Sequence, residues 1–351
     1  MHMADALLSP AVGLGFMALS GAALAYSARK LREEDDERKT ALMGVLGAFV
    51  FAAQMINFTI PGTGSSGHLV GGVLLIMLLG PYAAFITLTS VLIVQALFFA
   101  DGGILALGSN VWNMAFYPAF VGWPIYRLLV SKNPSRLRIS LAAVVIPAIT
   151  LQMGALTVVL QTALSGRSEL PFDKFILLMS GIHLPIGLIE GLVTAAVINF
   201  VFQIRPEAVQ AALAPEGKPA PKLSLRPLLF ALAVITLLAA GILSRFASSN
   251  PDGLEWSVNK VYGSGELPAP EKGIIARIAK LQEKTAFLPD YDFKSGMNPK
   301  QEKSGAEAGS PVSAGTSLSG IVGSLIVLGM VGLAGLVMFK LRGKGARAQK
   351  T

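Results

Sequence analysis

Long apolar segments constrain the fold of this chain more than any other feature of its sequence. They lie at about 6–28, 41–58, 68–100, 109–130, 139–164, 174–203, 227–247 and 318–339. A helix needs roughly 20 apolar residues to cross the hydrocarbon core of a bilayer. Charged residues make up only 14% of the chain, whereas soluble domains carry roughly 25%. The sequence therefore predicts an all-α, multi-pass protein of the cell membrane.

The segment 68–100 is too long for a single helix and is interrupted at Gly80-Pro81. Because proline breaks or kinks a continuous helix, we expect two spans here, the first of them short. Together the apolar segments predict about nine transmembrane helices.

The distribution of lysine and arginine predicts how these helices are oriented. Basic residues are concentrated in the segments 29–40, 131–138, 204–226 and 342–351. The alternate loops 59–67 and 101–108 contain neither lysine nor arginine, and 165–173 contains only Arg167. Cytoplasmic loops are richer in these residues than external loops, so we expect the N-terminus on the outer side.

The segment 204–226 is rich in proline and alanine and predicts a cytoplasmic linker between two membrane parts. Residues 1–203 would hold about seven helices. Residues 227–341 would form two spans that flank a small extracytoplasmic domain at 248–317, and 342–351 would be a basic cytoplasmic tail.

Within the predicted extracytoplasmic domain, Ile274, Ile278, Leu281 and Leu288 repeat at helical spacing. This pattern predicts a short amphipathic helix. The stretch 295–317 is poor in apolar residues and predicts a loose tether.

The first two residues have the chemistry of a metal chelator. No basic segment with a cleavage site opens the chain, so we expect this end in the mature protein. The amine of Met1, the amide nitrogen of His2 and its imidazole are joined by a short covalent path and can close two fused chelate rings. A plane of nitrogen donors suits Ni(II) or Cu(II). Alternatively, Met1 is only the start residue and His2 is solvated.

Few other side chains could complete such a site, because the chain has no cysteine and only three histidines, His2, His68 and His183. His68 follows a loop of glycine and serine that permits tight turns, on the same predicted outer side as His2. In the alternative interpretation, Ser65 or Ser66 caps a helix and His68 lies in its first turn.

Five further polar residues have both a functional and a structural interpretation. His183 and Glu190 are seven residues apart, on one face of a predicted membrane helix, where ionisable groups are costly. They either serve function or form hydrogen bonds between helices. Asn110 and Asn113 have the same two interpretations. Asp5 offsets the charge of a bound metal or supports a helix N-terminus.

Several classes of function lack their motifs in this sequence. It contains no phosphate-binding Gly-x-x-x-x-Gly-Lys-Ser/Thr loop, no His-Glu-x-x-His pair and no nucleophile elbow. Basic patches interleaved with aromatic residues are also missing, so the net charge of +8 indicates cytoplasmic loops rather than a nucleic-acid partner. We expect no enzyme activity, and ATP hydrolysis only from another protein.

Four stretches resemble the signatures of the CbiM/NikM family, the membrane substrate-binding components of energy-coupling-factor transporters for cobalt and nickel. They are MHMADALLSP at 1–10, GSSGHLVGG at 64–72, LGSNVWNM at 107–114 and HLPIGLIEG at 183–191. The resemblance covers residues 1–203. The sequence SSNPDGLE at 248–255 resembles the Pro-Asp-Gly-Leu-Glu (PDGLE) signature of the companion NikN subunit, so the chain resembles a fusion of the two components.

The resemblance implies a near-planar metal site at the outer face, formed by Met1, His2 and His68. Residues that could support these ligands are Asp5, Ser65, Ser66, Asn110, Asn113, His183 and Glu190. It also implies a transmembrane coupling subunit and a cytoplasmic ATPase as partners, and a role for 227–341 in metal loading or N-terminal insertion. The metal is cargo, and no cofactor is expected.

Preferred geometry and the opening sequence favour nickel as the cargo, with cobalt as the alternative. Two other functions compete with this interpretation: a stand-alone secondary metal carrier, and a membrane metalloenzyme with an open coordination position.

Overall fold

The computed structural model describes residues 1–34, 37–132, 134–213, 226–270, 272–293 and 314–348, and these are mostly helical. The helices are α1 (Pro10–Glu34), α2 (Glu37–Gln54), α3 (Gly72–Leu79), α4 (Pro81–Val94), α5 (Leu107–Val111), α6 (Trp123–Val130), α7 (Arg136–Leu164), α8 (Phe172–Ile204), α9 (Pro206–Leu213), α10 (Arg226–Gly241), α11 (Gly253–Tyr262), α12 (Ile274–Thr285) and α13 (Ala314–Ala348). Most of the predicted apolar segments therefore coincide with helices.

Six helical segments among the described residues are long and apolar enough to cross a membrane. They are Pro10–Glu34, Pro81–Phe99, Arg136–Leu164, Phe172–Ile204, Arg226–Phe246 and Gly315–Ala334. Lys39–Gln54 is apolar but shorter. The chain is thus a multi-pass membrane protein, although the described residues do not reach the predicted number of about nine spans.

Two regions account for much of this difference. The segment 68–100 is divided at Gly80, as predicted, but α3 has only eight residues, which is about 12 Å of helix and too short to cross a bilayer. The segment after α5 is a π-helix, Trp112–Gly122, with Pro118 inside it. A second π-helix, Gln95–Phe99, ends the span that begins with α4. Such widened turns occur often at functional sites, and here they carry Gln95 and Asn113.

A short hairpin departs from the predicted all-α fold. Strands β1 (Phe58–Ile60) and β2 (Ser65–Gly67) pair in an antiparallel register, with Thr59 opposite Ser66. The helix-capping interpretation of Ser65 and Ser66 is therefore wrong, because both lie in a strand. His68 follows β2 and precedes α3, whose N-cap Gly71 has a positive φ of 77°.

The helices of the carboxyl-terminal part pack on the amino-terminal bundle. Helices α10 and α13 both pack against α2, and α11 packs against α8. Gly323 of α13 lies so close to Phe51 of α2 that a Cβ at Gly323 would come within 2.0 Å of the Phe51 ring. The two parts therefore share one interior.

The predicted amphipathic helix, linker and tether agree with the structure only in part, or lie partly outside the residues that it describes. The predicted amphipathic helix is confirmed as α12, although Leu288 lies beyond its end. The predicted linker begins with helix α9, and residues 214–225 lie outside the described part. The predicted tether lies mainly in 294–313, also outside it, and α13 continues to Ala348, well into the predicted tail.

Candidate metal-binding site

The first eight residues form a buried segment inside the bundle rather than a solvated end. Met1 and Met3 are 4% and 0% exposed. The main chain of Met3 pairs with Asn110: its N–H donates to Asn110 Oδ1 at 2.7 Å, and Asn110 Nδ2 donates to its carbonyl at 3.2 Å. The Gly103 N–H donates to the same carbonyl at 2.9 Å. Asn110 is therefore an anchor for the N-terminal segment.

Asp5 anchors the same segment one turn further on. Asp5 begins the one-turn 3-10 helix Asp5–Leu7, and its Oδ1 accepts a hydrogen bond from the Ala106 N–H at 2.9 Å. A Cβ at Gly103 would lie 1.7 Å from Asp5 Oδ1, so this close approach requires glycine. Arg167 closes the segment by donating to the Leu8 carbonyl at 3.0 Å. No described contact joins Asp5 to His2, so its predicted charge-offsetting role stays a prediction.

The three residues predicted as metal ligands lie together. The His2 and His68 rings are stacked, with centroids 5.3 Å apart and planes 23° apart. The Met1 amine lies 2.9 Å from Asp252 Oδ2, and His68 Nε2 lies 4.0 Å from the same oxygen. Since β2 ends just before His68, the hairpin brings that imidazole to the N-terminal segment.

Two carboxylates that the sequence reasoning did not assign to the site lie between these donors. His2 Nδ1 lies 3.3 Å from Asp101 Oδ1, and His2 Nε2 contacts Gln95 Oε1 at 3.1 Å. Asp252 contacts the amine and His68 as described above. One available signal was that Asp101 is the only charged residue in its predicted outer loop, 101–108. For Asp252, the only available signal was its position in the PDGLE motif at 251–255.

Burial and charge set the protonation of this cluster. Burial, together with the positive terminal amine, lowers the pKa of His2 to about 3 and that of His68 to about 4. Burial alone would raise the pKa of Asp252, but the amine and His68 outweigh it and hold that pKa well below its usual range. Burial raises the pKa of Asp101. Both imidazoles are therefore neutral at pH 7, with lone pairs able to bind a metal.

Ser65 and Ser66 contact the carboxyl-terminal part rather than the metal donors. The Ser66 N–H donates to the Pro251 carbonyl at 2.8 Å, and Ser66 Oγ donates to the Asn250 carbonyl at 2.7 Å. Ser65 Oγ approaches the Pro251 carbonyl at 3.4 Å. These bonds hold the segment that contains Asp252 against the hairpin that precedes His68.

His183 and Glu190 are both buried in α8 but do not bond to each other. His183 Nδ1 contacts the Met179 carbonyl at 2.8 Å, and its ring lines a small cavity beside Met1, His68 and Asp252. The two oxygens of Glu190 accept the N–H groups of Val70 and Gly71, each at 3.0 Å. The predicted hydrogen bonding between helices is thus replaced by bonds to main-chain groups, which in the case of Glu190 belong to the loop after His68.

A chain of buried amides joins His2 to that loop. Gln95, which contacts His2, donates to Gln54 Oε1 at 2.6 Å, and Gln54 donates to the Val70 carbonyl at 2.8 Å. Asn113 lies beside this region, where it exchanges hydrogen bonds with Gln161 at 2.9 and 3.2 Å. Its Nδ2 also lies 3.5 Å from the sulfur of Met3. Gln54, Gln95 and Gln161 were not predicted from the sequence.

The arrangement can bind a metal only if main-chain nitrogen takes part. Among the residues that the structure describes, no group of three or more histidine, aspartate or glutamate side chains is placed to hold a metal ion. The terminal amine and the His2 amide would have to supply donors. Only Nδ1 of His2 can close a six-membered ring with its own amide nitrogen, so the imidazole would exchange Asp101 for the metal.

Comparisons with known proteins agree with these features. The family model of the cobalt uptake substrate-specific transmembrane region, CbiM, matches residues 2–208, and that of the PDGLE domain matches residues 226–340. A putative fused nickel transport protein, NikMN, of Archaeoglobus fulgidus is 34% identical over 94% of this chain and 96% of its own length. The cobalt transport protein CbiM of Chlorobium limicola is 32% identical over 62% of this chain and 87% of its own.

A crystal structure of a truncated transition metal transporter has the same fold over much of the chain. It superimposes with a TM-score of 0.52 at 32% identity and covers 58% of this chain and 99% of its own. The CbiM match spans more than half of the sequence and contains His2, His68 and Glu190. The chain therefore belongs to the CbiM family of substrate-specific transmembrane proteins and carries a PDGLE domain at its carboxyl-terminal end.

Proposed function

We propose that the chain is the substrate-binding subunit of an energy-coupling-factor transporter that imports nickel ions. The observation that carries this proposal is the stacking of His2 on His68 beside the buried amine of Met1. Both imidazoles are neutral at pH 7. The Met1 amine and the His2 amide nitrogen are adjacent along the main chain, so they could close one chelate ring around a metal ion. The fused nickel transport proteins among its relatives support the same cargo.

The proposed site holds the metal in a square plane of four nitrogens. The donors are the Met1 amine, the His2 amide, His2 Nδ1 and one nitrogen of His68. Nickel suits such a plane better than cobalt does. Cobalt is the alternative cargo, because a cobalt transport protein is among the relatives and the family model that matches residues 2–208 is that of a cobalt uptake region.

We propose two partners outside this chain. A transmembrane coupling subunit and a cytoplasmic ATPase would drive uptake, since this sequence has no phosphate-binding loop. Residues 1–203 would form the metal-binding domain, with the N-terminus outside. Residues 227–341 would form the accessory domain, joined through 204–226.

Adding one residue before Met1 tests the site directly. The added residue removes the free amine from the first position and shifts the His2 chelate by one residue. We expect nickel affinity, measured by titration of the purified full-length chain, to fall about 100-fold or more, because the Met1 nitrogen is then a peptide nitrogen and no longer a free amine donor.

A matched control keeps the register of the chelate. In Met1→Ser, made by placing serine after the initiator methionine so that processing exposes it, the amine and His2 are retained and only the Met1 side chain changes. Its nickel affinity should stay within about threefold of the parent, whereas His68→Ala should lose most binding. Unchanged affinity in both the extended chain and His68→Ala, with each fold intact by circular dichroism, would rule out the proposed site.

A further inference from the structure

Asp252 links the PDGLE domain directly to the N-terminal amine. It is the N-cap of α11, where its Oδ1 accepts the Glu255 N–H at 2.8 Å and Glu255 in return accepts the Asp252 N–H. This reciprocal capping box fixes the orientation of the carboxylate. The other oxygen, Oδ2, therefore points at the Met1 amine, 2.9 Å away.

Tyr291 makes a second, indirect contact with the N-terminal segment. Its hydroxyl donates a hydrogen bond to Asp101 Oδ2, while Asp101 Oδ1 faces His2 Nδ1 at 3.3 Å. The Tyr291 ring stacks on Phe99, with centroids 5.1 Å apart. Tyr291 and Asp290 both have positive φ, at 60° and 51°, a conformation that non-glycine residues adopt only when their surroundings enforce it.

Helix α12 fixes the loop on which Asp101 lies. Gln282 Nε2 donates to the Gly102 carbonyl at 2.7 Å and to the Ala96 carbonyl at 2.9 Å. These two carbonyls lie on either side of Asp101. The PDGLE domain thus determines where Asp101 stands relative to His2.

We propose that the PDGLE domain is a structural part of the metal site, in which Asp252 and Tyr291 act as positioning residues. Asp252 holds the terminal amine, and Tyr291 holds His2 through Asp101. The inference rests on the proposed function and deepens it. Its consequence is that residues about 250 and 290 positions away from the chelator determine whether the amine and the imidazole are placed for chelation.

The test for Asp252 is the reactivity of the Met1 amine in Asp252→Asn. Asparagine is as good an N-cap as aspartate, so α11 is retained while the charge that pairs with the amine is lost. We expect the amine to react with an acylating reagent about tenfold faster, as measured by mass spectrometry of the N-terminal peptide, because breaking a buried ion pair frees its partner. The matched control, Glu266→Gln, removes an exposed carboxylate of the same domain and should react at the rate of the parent.

Two outcomes decide the inference for Asp252. Faster acylation in Asp252→Asn alone supports it, and equal rates in the parent and both variants overturn it. The acylation assay is done without metal, so its result can overturn the inference without affecting the proposed function, and the reverse also holds. Nickel titration of the same proteins tests the function: the parent should bind, and Asp252→Asn should bind about tenfold more weakly.

Tyr291→Phe tests the second contact with the smallest possible change. The variant removes one hydroxyl and keeps the stacking on Phe99. We expect modification of His2 by diethyl pyrocarbonate to become about threefold or more faster, since Asp101 is no longer held. Tyr262→Phe, in the same domain and half-exposed, is the control and should leave the rate unchanged. Equal rates in all three proteins would overturn the role of Tyr291.

Discussion

The carboxyl group of Glu190 organises the main chain beside His68, and replacing it with glutamine should loosen that loop. Glu190 is 2% exposed, and each of its oxygens accepts one main-chain N–H, from Val70 and from Gly71. Both N–H groups precede the first turn of α3, where amides lack partners within the helix. Glu190→Gln keeps one acceptor and turns the other into a donor that faces an N–H group.

The size of the effect follows from the two bonds. A hydrogen bond to a carboxylate contributes about 1.5–3 kcal/mol, and a buried donor left unpaired costs about 1–3 kcal/mol. Because glutamine retains one bond and the loop can relax, we expect local opening of residues 68–71 to become about 2–4 kcal/mol easier. If about half of this is expressed at His68, nickel affinity falls about tenfold, since 1.4 kcal/mol corresponds to a factor of ten.

Hydrogen exchange and nickel titration measure the two effects in the same protein. Exchange of the Val70 and Gly71 amides, followed by mass spectrometry on a peptide that spans them, should accelerate in Glu190→Gln. The control is Thr194→Val, a nearly isosteric change at a residue one turn along α8 that is 3% exposed and lines a cavity with Glu190. If Glu190→Gln has the same exchange rates and the same nickel affinity as Thr194→Val and the parent, Glu190 does not position the loop.

Two further predictions concern protonation and close packing. Because burial lowers the pKa of His68 to about 4, the unfolded chain takes up a proton near pH 6.5 and the folded chain does not, so this residue lowers the stability as the pH is decreased from 7 toward 4. The melting temperature of the parent should therefore fall more between pH 7 and pH 4.5 than that of His68→Gln, and equal slopes would contradict this. Gly103→Ala places a methyl group 1.7 Å from Asp5 Oδ1 and should displace the N-terminal segment and abolish nickel binding. Gly21→Ala, where a Cβ meets no atom within 4 Å, should bind normally, and retained binding in Gly103→Ala would refute the close-packing argument.

The sequence predicted that Met1, His2 and His68 lie together, whereas the contacts that support them depend on tertiary structure. His2 and His68 could be paired from the sequence because few other nitrogen ligands exist and the basic loops suggested one shared side. Asp252 could not be placed, since it lies 251 positions along the chain from Met1, whose amine it contacts. The hairpin was missed because each strand has only three residues: β1 (Phe58–Ile60) directly follows an apolar segment and is too short for its alternation to stand out, and β2 (Ser65–Gly67) contains no apolar side chain.

The membrane fold was predicted better than its number of spans. Apolar length located the helices, including the break at Gly80-Pro81, but does not distinguish a crossing helix from a short buried one such as α3. The π-helix at Trp112–Gly122 leaves no mark that periodicity can detect, because its apolar composition resembles that of any span. Gln95 and Asn113 acquire their partners only through these widened turns.

Helices α10 and α13 of the PDGLE domain pack against α2 of the amino-terminal bundle, and the two parts belong to one chain. This covalent connection fixes their ratio and the strength of contact that they need. When two interacting parts belong to one chain, their encounter is intramolecular, with an effective concentration that reaches the millimolar range for short flexible connections. The occupancy of a contact as small as that between Asp252 and the Met1 amine then does not depend on the protein concentration. The ratio of the two parts is fixed at one to one, and dilution in the bilayer cannot separate them. If the same two parts were separate polypeptides, each would need a larger interface to achieve the same occupancy.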